Sequence, residues 1–201
     1  MFRGKPIIGI VGGIGSGKSY VARLFGEAGC LVIDSDALVR EAYGDPQILA
    51  AIRSWWGGKV FRPDGAPDRG AIAKVVFADP AERQRLERLL HPRVDEMRNA
   101  AMTTASPAIK AFVWDTPLLL EVGLHTQCDA LVFIDAPAAD RLQRVMDQRH
   151  WDAGELDRRE KLQLPLDTKR KISDYQIVNT AGADDLRGQV RQILSRIVTS
   201  E

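Results

Sequence analysis

The chain has 201 residues, 45% hydrophobic and 27% charged, which suits one α/β domain carrying an insertion and is enough to bury a core. Lys and Arg number 28 against 27 Asp and Glu, a net charge of +1, which argues against a general nucleic-acid binder. No apolar run approaches the roughly 18 residues that span a membrane. The opening MFRGKPIIGIVGG lacks the apolar length of a secretory signal. Cys30 and Cys128 lie far apart, outside any Cys-x-x-Cys pattern, and read as reduced packing residues of a cytoplasmic protein.

Short apolar runs alternate with helical patterns along the chain, the mark of an α/β fold. PIIGIV (6–11) reads as a buried first strand, and 16–28 as the helix after it, ending near Gly29. LVID (31–34) is a second strand, AFVW (111–114) a third, ALVFID (130–135) a fourth and YQIVN (175–179) a fifth. None of these runs alternates, as expected for a parallel sheet covered on both faces. Between the second and third strands the pattern is helical over 37–43, 46–56, 70–77, 80–90 and 92–103, with the turn RPDGAPDRG inside it. This block predicts a helical insertion over 37–105 on a nucleotide-binding core of 1–36 and 106–201. A charged stretch without an evident core stripe, RHWDAGELDRREKLQLPLDTKRK, predicts a solvated lid over about 149–172. The last helix spans 184–198.

The first strand runs into Gly12, Gly13, Ile14, Gly15, Ser16, Gly17, Lys18 and Ser19, which satisfy G-x-x-x-x-G-K-[ST] between a strand and a helix. Glycines let backbone N–H groups wrap phosphates, and the helix N-terminus adds a favourable dipole. Lys18 is expected to reach the β- and γ-phosphates of ATP, and the Ser19 hydroxyl to bind Mg²⁺. At the end of the second strand Asp34 and Asp36 stand two apart, where open sheets bind ligands. Asp36 reads either as the base for a phosphoryl acceptor or as the cap of a helix starting at Ala37, and two carboxylate oxygens allow both. Asp115 ends the third strand in a Walker B-like way and is a candidate Mg²⁺ residue, with Glu121 as an alternative acidic partner. Arg141, Arg144, Arg149, Arg158 and Arg159 follow the fourth strand, where guanidinium groups could neutralise a moving phosphoryl group. His91 has no metal-ligand spacing to another His or to Cys, and Pro92 after it could open a new helix. Trp55 and Trp56 read as insertion core, with one of them able to line a pocket.

Taken together, these motifs resemble the dephospho-CoA kinase family along nearly the whole chain. GIVGGIGSGKS resembles its phosphate loop, VIDSDALVR its D-x-D segment with a trailing arginine at Arg40, and VFRPDGAPDRG its D-G-x-x-D-R stretch, with Arg69. LERLLHPRV carries its His-Pro at His91 and Pro92, TPLLLEVGL its P-L-L-x-E with Glu121, and RLQRVMDQR its arginine-bearing helix. RREKLQLPLDTKRKISDYQIVN supplies lid residues Arg159, Gln163 and Lys169, and a closing Asp174 and Asn179. The resemblance implies an adenylate-kinase-like P-loop fold with a five-stranded parallel sheet, a helical domain for the CoA substrate and a lid. It implies transfer of the ATP γ-phosphate to the ribose 3′-hydroxyl of 3′-dephospho-CoA, with Asp36 as base and Lys18, Arg144 and Arg149 stabilising charge. Arg149 and Asn179 join the loop as expected ATP contacts. Arg40, Arg69, His91, Glu121 and Arg159 join Asp36 as expected acceptor contacts. The expected assembly is a monomer or weak homo-oligomer, without nucleic acid or membrane. Tyr20 after the loop serine, Ser35 between the two aspartates, Asp115 and Ser173 depart from the usual family residues, and none removes a group the chemistry needs. A rival reading, a GTP-dependent switch, lacks its N-K-x-D motif, since Asn99 and Asn179 are followed by Ala and Thr.

Overall fold

In the computed structural model, which describes residues 1–180 and 183–199, the elements run β1 (Ile7–Gly12), α1 (Lys18–Glu27), β2 (Leu31–Asp34), α2 (Ser35–Ala42), α3 (Pro46–Trp56), α4 (Arg69–Ala78), α5 (Pro80–Thr103), β3 (Phe112–Asp115), β4 (Ala130–Asp135), α6 (Ala138–Arg149), α7 (Ala153–Glu160), α8 (Leu166–Lys171), β5 (Tyr175–Val178) and α9 (Ala183–Thr199). The chain divides into two compact units, Met1–Asp34 with Thr104–Glu201, and Ser35–Thr103. Both breaks fall two residues before the expected boundaries, because α2 starts directly at the end of β2 and α5 ends at Thr103.

The first unit is built on a parallel sheet in the order β2-β3-β1-β4-β5. Its central strand β1 pairs Ile10 with Asp115 of β3 on one side and Val11 with Phe133 of β4 on the other. Alternate strand residues face the two sides. Ile8, Ile10, Val113, Val132, Ile134 and Ile177 pack with Val21, Leu24 and Phe25 of α1 and with Leu186, Val190, Ile193, Leu194 and Ile197 of α9. Apolar residues on both faces are why these strands show no hydrophobic alternation. Among the described residues, no helix is long and apolar enough to cross a membrane. Cys30 and Cys128 are unbridged, and burial pushes the Cys30 thiol up to about 11.

The second unit packs α2, α3, α4 and α5 around Ala42, Tyr43, Ile48, Ile52, Trp56, Ile72, Leu86, Leu90 and Val94. Asp45 caps α3 on the Gln47 amide, and Asp68 caps α4 on the amides of Gly70 and Ala71. Trp56 is buried and donates Nε1–H to Glu82 Oε2 at 2.7 Å. Trp55 meets it edge-on at 5.9 Å, beneath the Arg85 guanidinium at 4.1 Å.

One sequence expectation fails in this unit. Pro92 opens no helix, because α5 runs unbroken from Pro80 to Thr103 with the proline inside it. Pro92 lacks the N–H for one intrahelical bond and crowds the carbonyl four residues back, at a cost of about 3 kcal/mol. A stripe spaced at four, Leu86, Leu90 and Val94, lies buried on both sides of it, and a continuous apolar face outweighs a local helix breaker. Pro92 itself is exposed.

Candidate active site

The phosphate loop joins β1 to α1, and its carbonyls are held from below. Arg144 Nη1 donates to Gly15 O at 3.2 Å and Ser16 O at 3.3 Å, while its Nη2 donates to Asn179 O at 3.2 Å. Asn179 Nδ2 donates to Ser16 O at 2.7 Å. Arg141 Nη1 donates to Ile14 O at 3.3 Å and pairs with Glu160 of α7. Three successive loop carbonyls therefore face protein donors rather than an incoming anion, as a phosphate-binding loop requires. Gly15, with φ +75°, lies so close to α6 that a Cβ would stand 2.5 Å from the Arg141 carbonyl oxygen. Arg144 and Asn179, expected at the nucleotide, are thus engaged with the loop's backbone.

Lys18 Nζ donates to Gly12 O at 3.0 Å and Gly13 O at 2.8 Å. Burial lowers its pKa to about 8, helped by the charges of Lys169 and Arg149 and opposed by Asp115 and Glu121. Ser19 is exposed on the first turn of α1. Asp115 is buried at the end of β3, paired in register with Asp34 of β2. A hydroxyl and one carboxylate are hard oxygen donors that suit Mg²⁺, which keeps waters and takes further oxygens from substrate phosphates. Among the described residues no group of three or more His, Cys, Asp or Glu could hold a metal ion by itself, so a bound Mg²⁺ would lean on those phosphates.

The segment expected to form a lid is better packed than its charge implies. Leu156 of α7 is buried with Val145 of α6 and with Ile14 of the phosphate loop, and Trp151 packs against this cluster. The stretch has no continuous apolar stripe, and Leu156 is the buried residue of α7, packed in the cluster that holds Ile14 of the loop. Arg149 lies 4.9 Å and Arg159 4.1 Å from the Trp151 ring, and Arg159 Nε also bonds Glu155 Oε1 at 2.6 Å. Sequence reasoning misses Trp151, whose only signal is its place two residues after Arg149.

Glu121 turns to the segment that holds α8. Its Oε1 accepts from the Leu164 amide at 3.0 Å and pairs with Lys169 Nζ at 2.9 Å. Burial works against this carboxylate, but the hydrogen bonds from Lys169 and from backbone amides prevail and hold it below the usual range.

The remaining expected residues belong to the helical unit. Asp36 and Arg40 are both exposed, one turn apart on α2. The helix starts at Ser35, so Asp36 lies inside its first turn and does not cap a helix from Ala37. There a carboxylate favours the helix dipole. Arg69 opens α4, exposed, and its charge opposes the burial that raises the Tyr43 phenol. His91 is exposed on α5.

The sequence model of the dephospho-CoA kinase family matches residues 6–185. A dephospho-CoA kinase of Anaeromyxobacter dehalogenans is 40% identical over 192 residues, covering 94% of this chain and 90% of that protein. A crystal structure of a Thermus thermophilus protein superposes with a TM-score of 0.84 at 31% identity, over 96% of this chain and 97% of its own. The dephospho-CoA kinase of Campylobacter jejuni shares the fold, with a TM-score of 0.70 at 22% identity, over 96% of this chain and 98% of its own.

Proposed function

The chain belongs to the dephospho-CoA kinase family, and on that premise we propose that it moves the γ-phosphoryl group of ATP to the ribose 3′-hydroxyl of 3′-dephospho-CoA, yielding CoA and ADP in the cytoplasm, as a monomer or weak homo-oligomer. One observation carries the reading to this chain's own residues. Arg141 and Arg144 of the arginine-bearing helix and the closing Asn179 donate to the carbonyls of Ile14, Gly15 and Ser16, which leaves the loop's amides for the phosphates of a nucleotide.

In this mechanism the loop amides and Lys18 hold the β- and γ-phosphates, and Lys18 draws charge from the γ-oxygens as the bond to the leaving oxygen stretches. Ser19, with Asp115, would hold Mg²⁺, which when bound neutralises charge on the phosphate oxygens. Asp36 accepts a hydrogen bond from the acceptor 3′-hydroxyl, orients it in line and takes its proton late. A loose transition state asks little of a base, so positioning supplies much of the rate. Arg40, Arg69 and His91 of the helical unit bind the acceptor. Arg149 and Arg159, braced on Trp151, belong to a lid that keeps water from the γ-phosphate.

The test is ADP release with ATP and 3′-dephospho-CoA, against the same compound lacking the ribose 3′-hydroxyl. Acceptor-dependent turnover only with the hydroxyl present is expected, and equal release from both would sink the assignment.

A further inference from the structure

Lys169 is a lysine where a surface lysine would be cheaper. Its side chain is only 2% exposed. The ammonium pairs with Glu121 Oε1 at 2.9 Å and donates to Gln163 Oε1 at 3.0 Å. An ammonium has three donors, and among the described residues the third has no acceptor. Glu121 Oε1 also takes the Leu164 amide, while Glu121 Oε2 is buried without a hydrogen-bond partner among the described residues. The turn after β3 thereby grips both ends of the segment 163–169. One turn before Lys169, Leu166 leans on the phosphate loop so closely that a Cβ on Gly13 would lie 3.1 Å from its Cδ2.

Burying a cation is costly unless it is paired and hydrogen-bonded, so Lys169 depends on Glu121 and Gln163 to stay where it is. We propose that Lys169 is a positioning residue for phosphoryl transfer: held by Glu121 and Gln163, it latches the segment 163–169 onto the turn after β3. The latch seats α8, with Leu166, against the loop at Gly13, so that the γ-phosphate is shielded from water only when the segment is in place. Ground-state binding of either substrate depends on it much less than the transfer step does. This inference rests on the phosphotransferase reading above.

The experiment measures kcat, KM for ATP and for 3′-dephospho-CoA, and ADP released without acceptor, in the wild type, Lys169→Met and Glu121→Gln. Lys169→Met is expected to lower kcat about 10- to 100-fold with both KM values within about three-fold, the signature of an interaction made in the transition state. The share of ADP formed without acceptor rises. Glu121→Gln, which keeps size and hydrogen bonding, moves the same quantities in the same direction by less, and it carries the test if Lys169→Met does not fold. Variants that fold and keep wild-type kcat and coupling, or that raise KM alone, overturn the latch while leaving the kinase reading intact. A wild type without acceptor-dependent turnover overturns the kinase reading itself.

Discussion

The side-chain amide of Asn179 and the backbone of Gly17 are built against each other. Asn179 Nδ2 reaches Ser16 O at 2.7 Å, and a Cβ on Gly17 would lie 2.4 Å from that same nitrogen. The Asn179 backbone is pinned as well, its N–H on Asp135 O at 2.7 Å and its carbonyl on Arg144 at 3.2 Å. The phosphate loop, the end of β4, α6 and the residue after β5 form one hydrogen-bonded unit.

Gly17→Ala therefore carries two costs. Its φ of +91° places it in the left-handed region, which costs an L-residue roughly 1–2 kcal/mol, and the new methyl displaces the Asn179 amide. A loss of about 2–4 kcal/mol in urea unfolding is expected, from strain plus a broken buried hydrogen bond, with nucleotide affinity at least about ten-fold weaker. Asn179→Ala alone costs about 1–3 kcal/mol. The double variant should cost less than the sum, because the alanine at 179 makes room for the methyl. Additive losses would show that the clash is not the cause.

Lys18 gives the nucleotide site a pH dependence with a definite sign. In the free protein its pKa lies at about 8, lowered by burial and then by Lys169. Bound phosphates add negative charge and raise it, so binding draws on the ammonium. Affinity is full below pH about 8 and falls as pH climbs toward the higher pKa of the complex, Kd rising by up to about ten-fold per pH unit. Lys18→Arg stays charged across this range and should show a flat, weaker profile. Titration calorimetry with ATP from about pH 7 to 9.5 distinguishes the two, and a flat wild-type profile would contradict the account.

Local chemistry made much of this fold readable. The bounds of β2, β4 and α3 coincide with LVID, ALVFID and the run from Pro46 to Trp56, because unbroken apolar runs and proline or glycine punctuation act over a few residues. Pro92 shows where local rules stop. Its helix-breaking tendency is written at one position, while the stripe that overrides it needs partners from α2 and α4. The site divides in the same way. Spacing alone identifies Gly12 to Ser19, but the donors that shape that loop come from far along the chain, Asn179 lying 163 residues from Ser16. Glu121 and Lys169 stand out as motif residues without any sign that they bond each other. An ion pair between distant parts of the chain is a property of packing that no single stretch encodes.

Asp36 separates catalysis from stability. It is exposed on the first turn of α2, so Asp36→Asn should change unfolding by no more than about 0.5 kcal/mol. As the base for the 3′-hydroxyl it should lower kcat by about 100-fold, within the range for a positioned proton acceptor, with KM for ATP near the wild-type value. Steady-state kinetics beside a urea titration checks both. An unchanged kcat would reduce Asp36 to a favourable charge at a helix start.

Pro92 offers a gain in stability. Alanine at this position restores the N–H that the proline lacks and removes the clash with the carbonyl of residue 88, recovering about 3 kcal/mol. Against this, the proline restricts the unfolded chain, and losing that restriction costs about 0.4–1 kcal/mol. The expected net effect of Pro92→Ala is a stabilisation of about 2 kcal/mol, read as a higher urea midpoint at unchanged slope. Pro92→Gly should gain about 1 kcal/mol less, since glycine is that much poorer in a helix interior. The order alanine, glycine, proline follows from backbone terms alone, because Pro92 is exposed and has little packing to lose. A lower midpoint for the alanine variant would mean that the ring makes contacts worth more than the missing hydrogen bond. If the midpoint rises while KM for 3′-dephospho-CoA also rises, the proline serves the neighbouring His91: it sets the local helix geometry that presents the imidazole, and the stability forgone at residue 92 is the cost of that placement.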